Sequence, residues 1–169
     1  AEWVKKLMIK YKADTLDALI IKVDEIPVSL ALAQAAIESG WGTSRFAYEG
    51  NALFGQYVWG TTNHGIIPND RESEAKYKIK SFDSLGESVA SYMKNLNTNH
   101  HYNEFRINRF VLRSNNIPLR GSYLAEYLLS YSIEDDYTDK IKNIIEINEF
   151  EDFENLNIEK ELPLITEII

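Results

Sequence analysis

The segment from Val28 to Ser39, VSLALAQAAIES, constrains the fold more than any other part of the sequence, because it is apolar on nearly every side. A helix that is hydrophobic all round has no face to present to water and is therefore buried. Pro27 precedes the segment and Gly40 follows it, and these residue types are typical of a helix start and a helix end. We predict a central buried helix around which the rest of the chain packs.

Hydrophobic residues recur at helical spacing on both sides of this segment. Further helices are predicted near the N-terminus, from Asp14, from Asp83 or Ser84, and over residues 102–112, 122–130 and 136–148. Between about residues 57 and 80 the helical period is lost, and glycine, asparagine and proline separate short β-favouring pieces, which predicts strands at 56–59 and 76–81. The expected class is α+β, predominantly α-helical, with a small β-hairpin lobe.

The chain length of 169 residues suits one compact domain, and an apolar content of 44% is enough for a hydrophobic core. We predict a single domain over residues 1–150, followed by an acidic C-terminal extension, 151–169, that packs on the domain or trails from it. The sequence contains no cysteine, which excludes disulfide bonds and a cysteine nucleophile. A monomer is expected.

Charge and hydropathy narrow the possible partners. A formal net charge of -8 argues against nucleic-acid binding, which needs a basic surface. No apolar run approaches the roughly 18 residues of a membrane span, and the charged start does not resemble a signal peptide, so a leader is expected to be absent from this chain. His64, His100 and His101 lack metal-ligand spacing, so we expect neither a metal nor a cofactor.

Glu38 is the candidate catalytic residue, because it falls in the last turn of the most apolar helix. Burial and the negative end of the helix dipole both raise the pKa of a carboxyl group there, as a general acid requires. Gln34 lies one turn earlier on the same face, and Trp41 follows three residues later and is expected to anchor the turn in the core. From position alone, a glutamate that faces water is an equal alternative.

Two sequence blocks surround Glu38: Glu-Ser-Gly-Trp-Gly-Thr-Ser at 38–44 and Gly-Asn-Ala-Leu-Phe-Gly at 50–55. In these blocks and their spacing, the chain resembles the glucosaminidase domain of glycoside hydrolase family 73, described as mannosyl-glycoprotein endo-beta-N-acetylglucosaminidase-like. The similarity continues through residues 77–106, which look like the Bax-like branch of the family, and through the Tyr-Ser and Asp-Tyr pattern from Tyr131. It covers about residues 28–148.

This resemblance implies a lysozyme-like fold and hydrolysis of the peptidoglycan glycan strand after N-acetylglucosamine, with Glu38 as the proton donor. It also implies a place in the bacterial cell envelope, either periplasmic or secreted, and a partner that is peptidoglycan or a related glycan containing N-acetylglucosamine. The expected substrate-binding residues are Gln34, Asn51, Phe54 and Trp59. For Asn51, Phe54 and Gly55, a structural role in the groove floor is an equal alternative to sugar contact by the Asn51 amide.

The second catalytic group is less clearly marked than Glu38. Glycosidases usually need a second carboxylate, but the Thr-Glu-Tyr pattern that carries it in many relatives is missing from the β-lobe. Among Asp70, Glu72 and Glu74 we prefer Glu72, with a solvated charge as the alternative. If no carboxylate reaches the site, the N-acetyl group of the substrate would be the nucleophile, and Tyr131 would orient or stabilise the reacting sugar.

Two other functions fit the same residues. A lytic transglycosylase of similar fold needs a single acid and forms an anhydro sugar by internal attack, without adding water. A glycan-binding module would keep the groove and lose turnover. An intact Glu38 argues against the binding module, because a buried acid that destabilises the fold when ionised has no purpose in a module that only binds.

Overall fold

The computed structural model describes residues 1–60, 64–69 and 76–156, and these form a mainly helical domain with a small antiparallel sheet. The α-helices are α1 (Glu2–Tyr11), α2 (Leu16–Lys22), α3 (Val28–Ser39), α4 (Arg45–Gly50), α5 (Leu85–Thr98), α6 (Asn103–Ser114), α7 (Gly121–Leu124) and α8 (Tyr137–Ile147). Single 3-10 turns span His100–Tyr102, Ala125–Tyr127 and Phe150–Asn155. The predicted class, α+β and predominantly helical, is confirmed.

Helix α3 is the centre of the domain, as its apolar sequence predicts. Leu30, Ala33 and Gln34 are completely buried, and α7, α8 and the 3-10 turn at 150–155 pack around the helix. The core continues through fully buried side chains from the other helices, namely Leu96, Phe105, Leu124, Leu128 and Ile141. Both ends of α3 reach the edge of this core, and the sequence places a carboxylate at its C-terminal end.

The sheet forms a lobe beside the end of α3. Strands β1 (Tyr57–Trp59), β2 (Gly65–Ile66) and β3 (Tyr77–Lys80) pair in the order β1-β3-β2, and both pairings are antiparallel. Strands β1 and β3 agree with the prediction within one residue at each end. Strand β2 was not predicted, since a two-residue strand beginning with glycine gives no alternating pattern.

Two helical predictions need correction. The helix expected at 122–130 ends at Leu124 and passes into the 3-10 turn Ala125–Tyr127, which allows Leu128 to turn fully into the core. Helix α4 was not predicted, because it has only six residues and ends in a glycine. It forms because the hydroxyl of Ser44 caps it by accepting a hydrogen bond from the amide of Ala47 at 3.2 Å.

The prediction that Trp41 anchors the turn in the core is wrong. The side chain is 59% exposed and meets only the edge of the domain, with its ring centre 6.5 Å from that of Phe150. The physical reason is the backbone: Gly40, Trp41 and Gly42 all have positive φ, so the chain leaves α3 in a left-handed turn that carries the indole outward.

The C-terminal extension contributes to the domain through Glu154. Pro27 begins α3 without a capping side chain, and the carboxylate of Glu154 takes that role. It accepts hydrogen bonds from the amide of Val28 at 2.8 Å, from the amide of Ser29 at 3.3 Å and from the Ser29 hydroxyl. A negative charge is favourable at the positive end of a helix, so this contact ties the extension, as far as residue 156, to the central helix.

We expect Glu154→Gln to lower the free energy of unfolding by about 1–2 kcal/mol, because the amide lacks the charge that the helix end binds. Urea denaturation followed by circular dichroism measures this loss. Asp152→Asn is the matched control, since it removes the same charge from the same turn but is not the acceptor at the start of α3. Equal stability of the two variants would contradict the capping role.

Candidate active site

Glu38 is the penultimate residue of α3 and is half-buried where this central helix ends. The turn that follows is fixed by Ser39, whose hydroxyl donates to the carbonyl of Ala35 at 2.6 Å and accepts from the amide of Gly42 at 2.7 Å. These two hydrogen bonds fix the backbone at the end of the helix. The burial of α3 then sets the direction in which the Glu38 side chain projects.

A chain of three hydrogen bonds ends on one oxygen of Glu38. The hydroxyl of Tyr92 donates to Gln34 Oε1 at 2.6 Å, and Gln34 Nε2 donates to the hydroxyl of Tyr137 at 3.0 Å. The hydroxyl of Tyr137 in turn donates to Glu38 Oε1 at 2.8 Å. Because Oε1 is an acceptor in this chain, a protonated Glu38 carries its proton on Oε2.

The second oxygen of Glu38 faces Gly55, the last residue of the Gly-Asn-Ala-Leu-Phe-Gly block. A Cβ atom added at Gly55 would lie 3.3 Å from Glu38 Oε2, and the backbone there has a φ of +58°. Both the conformation and the close approach favour glycine at this position. Gly55 thus leaves space beside the oxygen that carries the proton.

The surroundings of Glu38 raise its pKa above the ordinary value of 4.5. Burial is the main cause, the hydrogen bond from Tyr137 acts in the opposite direction, and the negative charge of Glu134 adds to the rise. Burial also raises the pKa of Tyr137, followed by the charge of Glu38, so the phenol keeps its proton and remains a donor. The rise expected from the sequence is therefore found, with burial as its cause.

A groove of about 450 Å³ runs beside the acid, between the β-lobe and α5. Gly55 and Tyr131 line its inner end, next to Glu38 and Tyr137. Its walls are formed from both sides by Gln56, Tyr57, Val58 and Lys80 of the lobe and by Ser91, Lys94, Asn95 and Thr98 of α5. The site thus combines a half-buried acid with an adjacent groove of mixed polar and apolar lining.

Tyr131 lies at the centre of this site. Its ring stacks on that of Tyr137 with centres 5.7 Å apart and planes within 5° of parallel, and its hydroxyl donates to the carbonyl of Phe54 at 3.3 Å. Burial, followed by the nearby phenols and Glu38, raises the pKa of Tyr131, so this phenol is a donor as well. The structure brings Tyr131 and Glu38 together, as the sequence predicted.

Gln34 needs correction as a substrate-binding residue. Its side chain is 0% exposed and lies between Tyr92 and Tyr137, so no face of the amide reaches the groove. The helical spacing correctly placed Gln34 beside Glu38, but the same spacing puts it deeper in the core. Its contact with the acid runs through Tyr137.

The other expected substrate contacts divide into two groups. The Phe54 ring is buried and stacks on that of Tyr92, with ring centres 4.0 Å apart. The Asn51 amide donates to the carbonyl of Phe82 at 3.0 Å. Both residues therefore make structural contacts that shape the groove. Trp59 is 68% exposed on β1, where its ring meets Tyr77. Glu72 lies outside the described residues, with the neighbouring Asp70 and Glu74.

Sequence reasoning assigned no role to Tyr137, and it assigned Gly55 only a structural role in the groove floor. Both lie within blocks that the family resemblance had marked, Tyr137 in the Asp-Tyr pattern and Gly55 at the end of the second block. Their contacts with Glu38 join parts of the chain that are far apart in sequence, so no local period indicates them. Glu134 was missed for the same reason.

Within residues 1–60, 64–69 and 76–156, no three histidine or acidic side chains are grouped so that they could hold a metal ion. The rings of His100 and His101 lie against each other, with centres 3.9 Å apart. In the same part of the chain, no helix is both long enough and apolar enough to cross a membrane.

A helical domain with an acid at the end of its central helix and a groove under a small β-lobe is a lysozyme-like domain. The model of the glucosaminidase family, described as mannosyl-glycoprotein endo-beta-N-acetylglucosaminidase, matches residues 17–150. The chain belongs to this family, which confirms the resemblance to glycoside hydrolase family 73.

Known proteins agree with this membership. The chain is 34% identical to protein Bax of Escherichia coli over 135 residues and 25% identical to the exo-glucosaminidase LytG of Bacillus subtilis over 134 residues. Each alignment covers 76% of this chain and 46% of the relative, so the chain spans about half the length of either protein.

The fold is also similar to a solved structure, the catalytic domain of the autolysin Auto from Listeria monocytogenes. The TM-score is 0.54 at 16% identity, and the match covers 90% of this chain and 85% of that domain. This similarity supports the fold alone, and the lysozyme-like prediction is confirmed.

The raised pKa of Glu38 predicts how stability depends on pH. Because the folded state holds this proton more tightly than the unfolded state, the stabilisation is complete below about pH 4.5 and is lost as pH rises through the folded pKa. We therefore expect the unfolding free energy of the wild type to fall, relative to that of Glu38→Gln, as pH rises from 4.5 through the folded pKa of Glu38. Urea titrations across this range measure the difference.

Glu104→Gln is the control for this comparison, since Glu104 is exposed on α6, away from the groove. A stability difference between wild type and Glu38→Gln that stays constant from acid to neutral pH would show that Glu38 has the same pKa in the folded and unfolded states.

Proposed function

We propose that the protein is a peptidoglycan hydrolase that cleaves the glycan strand after N-acetylglucosamine, with Glu38 as the general acid. The observation that carries this proposal is the chain of hydrogen bonds through Gln34 and Tyr137. It occupies Oε1 of Glu38, so the proton lies on Oε2, beside Gly55 at the inner end of the groove.

In this mechanism the glycan lies along the groove with the bond to be cleaved next to Glu38 Oε2. Glu38 gives its proton to the oxygen that leaves as the bond from the anomeric carbon breaks, and positive charge develops on the sugar ring. The hydrogen bond from Tyr137 favours the carboxylate over the acid. It therefore strengthens as the proton departs and stabilises the product side of the transfer.

The developing positive charge needs a second group on the opposite face of the sugar. Glu72 on the β-lobe is our candidate for this carboxylate. The alternative needs no second carboxylate, because the N-acetyl group of the substrate attacks the anomeric carbon. In that case the Tyr131 phenol, which lines the groove and donates its hydrogen bond to the carbonyl of Phe54, would orient the reacting sugar as a hydrogen-bond acceptor.

The names of the relatives differ on whether cleavage is internal (endo) or terminal (exo). The family description names an endo enzyme and LytG is named an exo-glucosaminidase, while the groove is open along the β-lobe. An open channel suits a strand that continues past the cleaved bond, so we propose endo cleavage. Such a substrate places the protein outside the cytoplasm, in the bacterial cell envelope.

Digestion of purified peptidoglycan by the wild type and by Glu38→Gln tests the proposal. We expect the wild type to release fragments with reducing N-acetylglucosamine ends, and endo cleavage should make these fragments long at early times. The rate of Glu38→Gln should be at least about 10²-fold lower, because this variant has no general acid. Mass spectrometry and reducing-end analysis identify the products. Glu104→Gln, at an exposed position that does not line the groove, should keep the wild-type rate.

The same digestion separates the remaining possibilities. Anhydro-muramic ends without added water would identify a lytic transglycosylase. Binding to the wall without any release of fragments would identify a glycan-binding module. Loss of activity in Glu72→Gln would assign the second carboxylate, and full activity would favour the substrate's N-acetyl group.

A further inference from the structure

The groove is basic although the protein is acidic. The chain has a formal net charge of -8, yet the charged side chains among the described residues that line the groove are two lysines, Lys80 and Lys94. The other polar lining residues of α5, Ser91, Asn95 and Thr98, are neutral. A local positive field in an acidic protein attracts an anionic part of a ligand to this place.

Lys80 is held in position at the wall of the groove. Its ammonium group donates to the hydroxyl of Ser91 at 3.1 Å and lies 4.8 Å from the centre of the Phe82 ring. A lysine ammonium has three N–H donors, so the bond to Ser91 leaves others for a ligand. The side chain is therefore oriented before any ligand binds.

Lys94 completes the pair from the other wall. It is exposed on α5, and Ser91 and Thr98 lie about one turn before and after it on the same helix face. Within the described residues, neither Lys80 nor Lys94 lies within 4.0 Å of a carboxylate, whereas Lys140 and Lys142 are both paired in this way. Neither groove lysine is thus held in a direct ion pair by the described part of the chain.

We propose that Lys80 and Lys94 form an anion subsite that binds a carboxylate carried by the substituent of the glycan strand. This inference rests on the proposed function and adds a specificity to it. Peptidoglycan alternates a neutral sugar with a muramoyl sugar whose lactyl group carries a peptide with free carboxylates. A strand bearing such anions would be held in the groove, and an uncharged N-acetylglucosamine polymer would lack this interaction.

The test measures binding in the Glu38→Gln background, so that its result does not depend on cleavage. The probes are soluble glycan strands with intact peptides and the same strands after their carboxylates have been converted to neutral methylamides. We expect Lys80→Gln with Lys94→Gln to raise the dissociation constant for the anionic strands about tenfold and to leave that for the amidated strands unchanged.

Two variants control for net charge and for folding. Lys5→Gln with Lys6→Gln removes the same charge from the exposed face of α1 and should leave both dissociation constants unchanged. Lys94→Gln alone leaves the contact of Lys80 with Ser91 intact, and we expect a smaller but selective loss for the anionic strands. Lys80→Arg with Lys94→Arg keeps the charge and should retain most of the binding.

A third probe identifies the source of the carboxylate. Removing the peptides with an amidase leaves the lactyl carboxylate free, so full lysine-dependent binding of these strands would place the lactyl group at the subsite. Loss of that dependence would place the peptide there. Equal weakening of anionic and amidated strands by the groove variants, no weakening at all, or equal weakening by the Lys5 and Lys6 control would overturn the proposal.

Discussion

The burial of helix α3 is the constraint on which the rest of the structure depends. Its sequence gives it no polar face, and helices α7 and α8 and the C-terminal turn pack against most of its surface, leaving Val28 and Leu32 partly exposed. This enclosure brings Tyr137 of α8 against the end of α3, where it bonds Glu38. The site is therefore a consequence of packing, because the helix that must be buried carries the acid at its end.

The two ends of α3 use carboxylates in opposite ways. At the positive N-terminal end Glu154 is stabilised as an anion by the free amides of Val28 and Ser29. At the other end Glu38 is desolvated and lies near Glu134, so its anion is disfavoured and its pKa is raised. One end of the helix thus gains stability from a charge, while the other end raises the pKa of its carboxyl group.

The features encoded locally could be predicted from the sequence. The apolar run of α3, its Gly40 terminus and the cap at Ser84 depend on neighbouring residues, and the structure contains all three. Trp41 was misplaced because the direction of a side chain after a left-handed turn depends on three successive positive φ angles. Tyr137 and Glu154 were not assigned roles, because their partners lie about a hundred residues or more away in the chain.

Direct titration of the Glu38 carboxyl group tests the central claim. In protein labelled with ¹³C at the glutamate side chains, the Glu38 resonance, assigned by comparison with Glu38→Gln, should titrate with a midpoint above 4.5. In Tyr137→Phe the midpoint should rise further, because the hydrogen bond that favours the carboxylate is gone. A midpoint at 4.5 or below, or one that falls in Tyr137→Phe, would contradict the account of Glu38 as an acid held protonated by burial.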